Sequence, residues 1–187
     1  MPPAASLCQA DASQVVFIDI QGRLSGAMAP DQRQRVLHNA GLLARAASEL
    51  DIPRCVTRQY PDGLGDTDAD LLPHLDGATV VDKTRFSCCG EDAFNETVAT
   101  HGRPQVILAG MEAHVCVTQT ALELLAAGYS VFVAADATCS RTIENRDRGL
   151  ERLARAGVQI VVTESVLFEW LRDSRHEQFR TISRWLR

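Results

Sequence analysis

The chain has 187 residues, of which 45% are hydrophobic and 23% are charged, as is typical of a folded globular protein. Its net charge of -5 and its pI near 5.5 argue against nucleic acid or an anionic membrane surface as partner, because neither is attracted by an acidic protein. No run of 18 consecutive apolar residues occurs, which argues against a membrane-spanning helix.

The six cysteines, at positions 8, 55, 88, 89, 116 and 139, show no spacing typical of a disulfide framework. The first residues, MPPAASLCQADAS, lack the basic and apolar regions of a secretory signal. We therefore expect free thiols in a reducing compartment, with the cytoplasm as the location. The adjacent Cys88 and Cys89 are interpreted as a coincidence in a loop, because neighbouring residues are too close for the usual disulfide geometry.

Short runs rich in β-branched residues alternate along the chain with helical periods. The runs predict strands at residues 14–20, 54–58, 79–82, 105–110, 130–135 and 159–163. The periods between them predict helices at residues 31–50, 91–102, 115–128 and 144–157. Residues 164–187 are expected to add one or two helices. Their Trp170, Phe179 and Trp185 would pack either on the same domain or on a second subunit.

This alternation predicts an α/β fold, a three-layer α/β/α arrangement around a doubly wound, six-stranded parallel sheet. Several strands are apolar at successive positions, which suits strands that are covered on both faces. We expect a single domain over residues 1–187, with its core at about 13–170 and C-terminal helices at 164–187. In such folds the ligand binds at the carboxyl ends of the strands, so polar residues directly after strands are the candidates for chemistry.

Three such residues together supply the groups that nucleophilic acyl transfer requires. Cys116 opens the helix after the fourth strand, where the helix dipole and unpaired amides are expected to lower the thiol pKa and to bind an oxyanion. Asp19 ends the first strand among apolar neighbours, and Lys83 follows the third. A buried carboxylate needs a cationic partner, so we expect Lys83 to pair with Asp19, which would accept the thiol proton.

Each of the three residues also has a simpler interpretation. Cys116 could be a buried structural cysteine, Asp19 could cap a turn, and Lys83 could be a solvated surface charge. His114 is a rival base for Cys116. Because it lies only two residues before the cysteine, we expect it to point away and to line the pocket.

Three segments resemble the isochorismatase-like, or cysteine hydrolase, superfamily over about residues 13–170. They are FIDIQ with Asp19, VDKTRFS with Lys83 and AGMEAHVCVTQTALELLAAGYSVFVAADATCSR with Cys116. TRQYPDGLG and GMEAHVCVTQTALELL are most similar to the isochorismatase-domain-containing proteins, whose substrates are poorly defined. The resemblance implies the isochorismatase-like hydrolase fold, a catalytic triad of those three residues, a cis peptide at Met111–Glu112, and an oxyanion hole formed by the backbone N–H groups of Glu112 and Cys116.

Other residues near the predicted strand ends are candidates for the substrate pocket: Gln21, Gln59, Tyr60, Arg85, Phe86 and His114. Gln21 lies in the loop that Asp19 would border. Gln59 and Tyr60 form either part of the pocket or a simple turn. The resemblance implies that Arg85 and Phe86 flank the substrate. Asp136 and Arg141 are interpreted as a structural ion pair that supports the loops.

Two related activities are disfavoured by the residues. True isochorismatases resemble this fold but lack the cysteine nucleophile. Nicotinamidases bind a metal through an aspartate and two histidines after the second strand, whereas TRQYPDGLGDTDADLLPH contains only His74. We therefore expect no metal and no other cofactor.

The sequence thus predicts a metal-independent cysteine hydrolase that cleaves an amide or carbamoyl C–N bond of a small molecule through a thioester intermediate. The resemblance also implies a homo-oligomer, a dimer or larger. The alternative is a catalytically silent oligomeric scaffold, or a thiol sensor, on the same fold. Alkylation of Cys116 by iodoacetamide near neutral pH no faster than that of an ordinary thiol would favour that alternative.

Overall fold

The computed structural model describes residues 6–186, and in this part of the chain six strands form one sheet with the order β3-β2-β1-β4-β5-β6. All neighbouring strands are parallel. The strands are β1 (Ser13–Ile18), β2 (Arg54–Gln59), β3 (Thr79–Lys83), β4 (Gln105–Met111), β5 (Ser130–Cys139) and β6 (Gln159–Val161). The predicted α/β class and doubly wound sheet are confirmed.

Helices cover both faces of the sheet. They are α1 (Gly22–Ser25), α2 (Pro30–Glu49), α3 (Pro61–Leu64), α4 (Asp92–His101), α5 (Thr118–Ala126), α6 (Ile143–Ala156), α7 (Thr163–Leu171) and α8 (Phe179–Arg184). One layer contains α2, α7 and α8, and the other contains α4, α5 and α6. Within residues 6–186, no helix combines the length and the hydropathy needed to cross a bilayer.

The strands form because both of their faces are apolar. In β1, Val15 and Phe17 belong to the core on the α2 side, whereas Val16 and Ile18 belong to the core on the α5 side. All four side chains are fully buried. Since successive side chains of a strand point to opposite faces, a continuous apolar run is buried in two separate cores.

The C-terminal helices pack on their own domain, which is the first of the two predicted arrangements. Trp170 and Ile182 are buried in the core on the α2 side. The Trp170 indole N–H donates to Ser13 Oγ at 3.0 Å, which ties α7 to the start of β1. The Arg45 guanidinium lies 3.9 Å from the centre of the Trp185 ring, a cation–π contact between α2 and the end of the chain.

The segment around Cys116 differs from the predicted helix. Helix α5 begins at Thr118, and Cys116 lies in the preceding π-helical turn, Ala113–Val117. The Glu112 carbonyl accepts hydrogen bonds from the amides of Val115 and Val117, which closes this turn in an irregular way. Such π-turns occur often at functional sites.

Candidate active site

The candidate site lies where the strand order reverses, between the neighbouring strands β1 and β4. Asp19 directly follows β1, Cys116 follows β4, and Lys83 is the last residue of β3. β2 separates β1 from β3, and Thr57 and Gln59 near the end of β2 bridge this gap. The three predicted catalytic residues therefore lie at the carboxyl edge of one sheet, as expected.

The conformation of Asp19 is fixed by its backbone contacts. Its φ angle of 53° places it in the left-handed region, which aspartate tolerates better than most residues. Its amide donates to the Thr57 carbonyl at 3.1 Å, and its own carbonyl accepts from the Gln21 amide at 2.8 Å. The chain thus turns sharply after β1, and the carboxylate is fully buried.

The two oxygens of the Asp19 carboxylate have different partners. Oδ1 accepts a hydrogen bond from Thr57 Oγ1 at 2.7 Å. Oδ2 lies 2.7 Å from Lys83 Nζ, and both of these side chains are fully buried. The contact between Lys83 and Oδ2 is an ion pair whose angles fall outside those of a directed hydrogen bond.

The Lys83 ammonium is held by several acceptors besides Asp19. Nζ donates to Gln59 Oε1 at 2.6 Å and to the carbonyls of Arg85 and Phe86, each at 3.1 Å. Burial on its own lowers the pKa of Lys83, but the negative charge of Asp19 is the main effect that raises it, and the pKa is raised on balance. The side chain is therefore a cation at neutral pH.

Cys116 is a neutral thiol in this environment. It is only 6% exposed, and burial, followed by the negative charge of Asp19, raises the pKa of the thiol to about 12, although Lys83 lowers it. The predicted decrease of this pKa is therefore not found, because desolvation outweighs any effect of the helix start. The resting site thus contains a neutral thiol next to the Asp19 carboxylate.

The peptide bond between Met111 and Glu112 is cis, and the Glu112 side chain is anchored by Arg141. Arg141 Nε lies 3.0 Å from Glu112 Oε1, and the Arg141 amide donates to Oε2 at 3.2 Å. The predicted Asp136–Arg141 pair is wrong. β5 continues past Asp136, whose carboxylate instead accepts from the amide and the hydroxyl of Thr163 at the start of α7.

His114 lies beside the site without a hydrogen bond to the triad. Its Nδ1 is 3.0 Å from Ser140 Oγ and 3.9 Å from Glu112 Oε2. These contacts place the imidazole toward the end of β5.

Two of the predicted pocket residues have supporting contacts instead. Gln21 is fully buried, and its amide group pairs with both the N–H and the carbonyl of Gln59, at 2.7 and 3.0 Å. The Gln59 side chain in turn contacts Lys83. Tyr60 and Phe86 are each 56% exposed. The Arg85 amide lies 3.3 Å from Glu91 Oε1.

Several residues that support the site were not predicted to belong to it. Thr57 lies within a predicted strand, where a polar residue in an otherwise buried run was the available signal. Cys88 is fully buried, with Sγ 3.7 Å from Thr57 Oγ1. Gly149 of α6 allows close packing, because a Cβ atom there would lie 3.0 Å from His114 Cα and 3.1 Å from the Ala113 carbonyl carbon.

Comparison with known proteins supports the resemblance seen in the sequence. A family model described as the isochorismatase domain matches residues 13–165. Isochorismatase domain-containing protein 1 of the zebrafish Danio rerio is 42% identical over 141 residues, which cover 75% of this chain and 49% of that protein.

Two solved structures share the fold over almost the whole chain. A structure described as the MAR1 ribonuclease of Caenorhabditis elegans has a TM-score of 0.90 and 30% identity, and covers 97% of this chain and 92% of its own. YcaC of Pseudomonas aeruginosa, solved with hexane-2,5-diol and covalent acrylamide, has a TM-score of 0.88 and 27% identity, with coverage of 96% and 91%.

Proposed function

The chain belongs to the isochorismatase domain family, which implies a hydrolase, and we propose that it is a metal-independent cysteine hydrolase that cleaves a small-molecule amide or carbamoyl C–N bond. The observation that carries this proposal is the Asp19 carboxylate. Oδ1 is fixed by Thr57, whereas Oδ2 lies beside a lysine cation without a directed hydrogen bond. This leaves one oxygen available for the proton of the Cys116 thiol.

In the proposed first step, Asp19 accepts the thiol proton while the Cys116 sulfur forms a bond to the substrate carbonyl carbon. The carbonyl oxygen becomes an oxyanion, which the amides of Glu112 and Cys116 would bind. Asp19 then gives its proton to the substrate nitrogen as the C–N bond breaks. Water, deprotonated by Asp19, hydrolyses the resulting thioester and regenerates the thiol.

Lys83 would supply the positive charge that this cycle needs. Burial opposes its charge, but the negative charge that passes between Asp19 and Cys116 stays beside it, so Lys83 would remain a cation throughout. Nucleophile, base and cation thus all come from the chain itself. That is the reason for proposing a reaction without a metal or another cofactor.

A small substrate suits a largely buried nucleophile, because Cys116 is only 6% exposed. The exposed Tyr60 and Phe86 side chains, beside Arg85, would surround the entrance. The covalent acrylamide of the Pseudomonas structure is itself a small primary amide with a thiol-reactive double bond. It supports a search among small amides.

The proposal is tested with a panel of small primary amides and carbamates, with ammonia release as the readout. We expect turnover in the wild type, and its loss in Cys116→Ala and Asp19→Asn. Cys89→Ala is the matched control, since this neighbouring thiol is only partly buried and its sulfur lies near the Thr120 carbonyl. Full activity of Cys116→Ala on a confirmed substrate would overturn the mechanism.

An acyl adduct on Cys116, detected by intact mass and peptide mapping, would support the thioester step. If no amide is hydrolysed and Cys116 reacts with iodoacetamide no faster than an ordinary buried thiol, the scaffold or sensor alternative is favoured. RNA is a further arm of the assay, because the Caenorhabditis neighbour is described as a ribonuclease. We expect no RNA cleavage, since the net charge of -5 disfavours a polyanion.

We also propose a homo-oligomer. Three large apolar side chains outside the proposed entrance, those of Leu72, Val80 and Ile143, are 51%, 51% and 60% exposed. Contact with another copy would remove them from water. Light scattering tests this proposal, and a monomer at all accessible concentrations would contradict it.

A cytoplasmic location is proposed from the cysteines, all six of which are free thiols. Free thiols persist in a reducing compartment. Cell fractionation tests this, and recovery of the protein from the secreted fraction would contradict it.

A further inference from the structure

The Lys83 ammonium has three hydrogens but four oxygen neighbours within 3.1 Å. They are Asp19 Oδ2 at 2.7 Å, Gln59 Oε1 at 2.6 Å and the carbonyls of Arg85 and Phe86. The last three contacts meet hydrogen-bond geometry, whereas the contact of Asp19 Oδ2 is an ion pair whose angles do not. Four oxygens thus compete for three hydrogens, and Asp19 Oδ2 is the least favourably oriented of them.

We infer that Gln59 is a positioning residue for the proposed reaction: by accepting a hydrogen from Lys83, it prevents that hydrogen from occupying Asp19 Oδ2, the atom that must receive the Cys116 proton. The inference rests on the proposed function. The Arg85 and Phe86 carbonyls belong to the backbone and remain after any substitution, whereas a substitution of Gln59 can remove its acceptor.

Gln59 is itself held in place by Gln21. The Gln21 side chain accepts from the Gln59 amide at 2.7 Å and donates to the Gln59 carbonyl at 3.0 Å and to the Gly65 carbonyl at 2.7 Å. The Gln59 side-chain nitrogen donates to the Thr84 carbonyl at 2.8 Å, so its oxygen must face Lys83. This assigns the amide orientation and fixes the acceptor at the ammonium.

If Gln59 did not accept this hydrogen, Lys83 would donate it to Asp19. A hydrogen bond from a cation stabilises a carboxylate and makes it a weaker base. The other titratable groups that face this pair are the thiols of Cys88 and Cys116. Both are neutral near pH 7, because burial raises the pKa of each thiol to about 12.

Two substitutions of Gln59 separate the effect of the hydrogen bond that it accepts from Lys83 from that of the hydrogen bond that it donates to the Thr84 carbonyl. Gln59→Met offers the ammonium only a weakly accepting thioether, whereas Gln59→Glu keeps an oxygen in the same place. Both variants lose the donation to the Thr84 carbonyl, so that contact is matched between them. Circular dichroism and thermal unfolding would first establish that both variants fold.

The readout is the rate at which iodoacetamide alkylates Cys116, measured from about pH 4 to pH 10 by peptide mapping, with the Cys89 peptide as internal reference. It needs no substrate. In the wild type we expect the alkylation rate to rise with pH over an acidic range, which we call the acid limb, and then to reach a plateau. This rise should depend on Asp19 and be abolished by Asp19→Asn. In Gln59→Met the limb should move to lower pH, and the rate at its plateau should fall about three- to ten-fold.

Gln59→Glu should show a limb at the wild-type pH or above it, because its added negative charge favours a protonated Asp19. If the acid limb of Gln59→Met stays at the wild-type pH or moves to higher pH, the role of Gln59 is overturned, whereas the proposed proton transfer is not. A wild-type profile without any limb that depends on Asp19 would overturn the proposed proton transfer, and this inference with it.

Discussion

At the scale of single residues, the candidate site depends on two unlike oxygens of one carboxylate. Thr57 donates to Oδ1 of Asp19 at 2.7 Å, and Lys83 compensates the charge at Oδ2 without a directed hydrogen bond. A fully buried carboxylate is costly without such partners. The partner at Oδ1 therefore contributes mainly to stability and orientation, whereas the ion pair at Oδ2 compensates the charge without directing a hydrogen bond at that oxygen.

Thr57→Val tests this division, because valine has the same shape but no hydroxyl. We expect a loss of about 1–3 kcal/mol in the free energy of unfolding, the cost of leaving a buried acceptor unpaired. The acid limb of Cys116 alkylation should move to higher pH, opposite to the shift expected for Gln59→Met, because the carboxylate loses a stabilising donor. Urea unfolding and the alkylation profile measure the two effects.

Thr57→Ser is the matched control, since it keeps the hydroxyl and removes only a methyl group. It should preserve the position of the acid limb at a smaller cost in stability. Equal shifts of the limb in the two variants would show that the hydroxyl does not hold Asp19.

At the scale of elements, the sequence predicted the regular structure well and the irregular structure poorly. The strands were recognisable because both faces of a parallel strand are apolar, as in β1 and β4. The π-turn around Cys116, the left-handed Asp19 and the partner of Arg141 were not recognisable. These features depend on contacts between segments far apart in the chain, such as that between Thr57 and Asp19, which no local pattern encodes.

Helix α6 supports the turn that carries Cys116, and Gly149 is the point of closest approach. A Cβ atom at Gly149 would lie 3.0 Å from His114 Cα, which belongs to the backbone of that turn. Gly149→Ala should therefore displace the turn, lower stability by about 1–3 kcal/mol through overpacking, and slow both amide turnover and Cys116 alkylation. Thermal unfolding and the two rates check this.

Gly41→Ala in α2 is the control for this prediction. A Cβ at Gly41 would meet the His74 side chain at 3.2 Å, a neighbour that can rotate away. Because alanine favours a helix over glycine by about 1 kcal/mol, this variant should keep its stability and its rates. If Gly149→Ala behaves in the same way, α6 does not constrain the turn.

At the scale of the whole molecule, the two cores pack on opposite faces of the same sheet. The core on the α2 side takes in α7 and α8 through Trp170 and Ile182, and the core on the α5 side surrounds Cys116 and Cys88. We therefore expect residues 1–187 to unfold as one domain, in a single transition. The composition predicted this in general terms, but whether the C-terminal helices pack on their own domain required the structure.

The burial of thiols in these cores predicts that the folded state loses stability at alkaline pH. Burial raises the pKa of Cys55, Cys88, Cys116 and Cys139 to about 12 each, from 9.0 for an exposed thiol. Between these pH values the unfolded chain has released protons that the folded chain retains. The free energy of unfolding should therefore be unaffected by these thiols below about pH 9, and should fall as the pH rises from there toward 12.

Each such thiol contributes a slope of about 1.4 kcal/mol per pH unit in this range. Cys88→Ala should therefore flatten the decrease by about that amount, as measured by urea unfolding at several pH values. Val81→Ala, in the same core, is the control: it should lower stability at every pH without changing the slope. An unchanged slope in Cys88→Ala would show that this thiol ionises as readily in the folded chain as in the unfolded one. Burial beside Asp19 would then not raise the pKa of the Cys88 thiol.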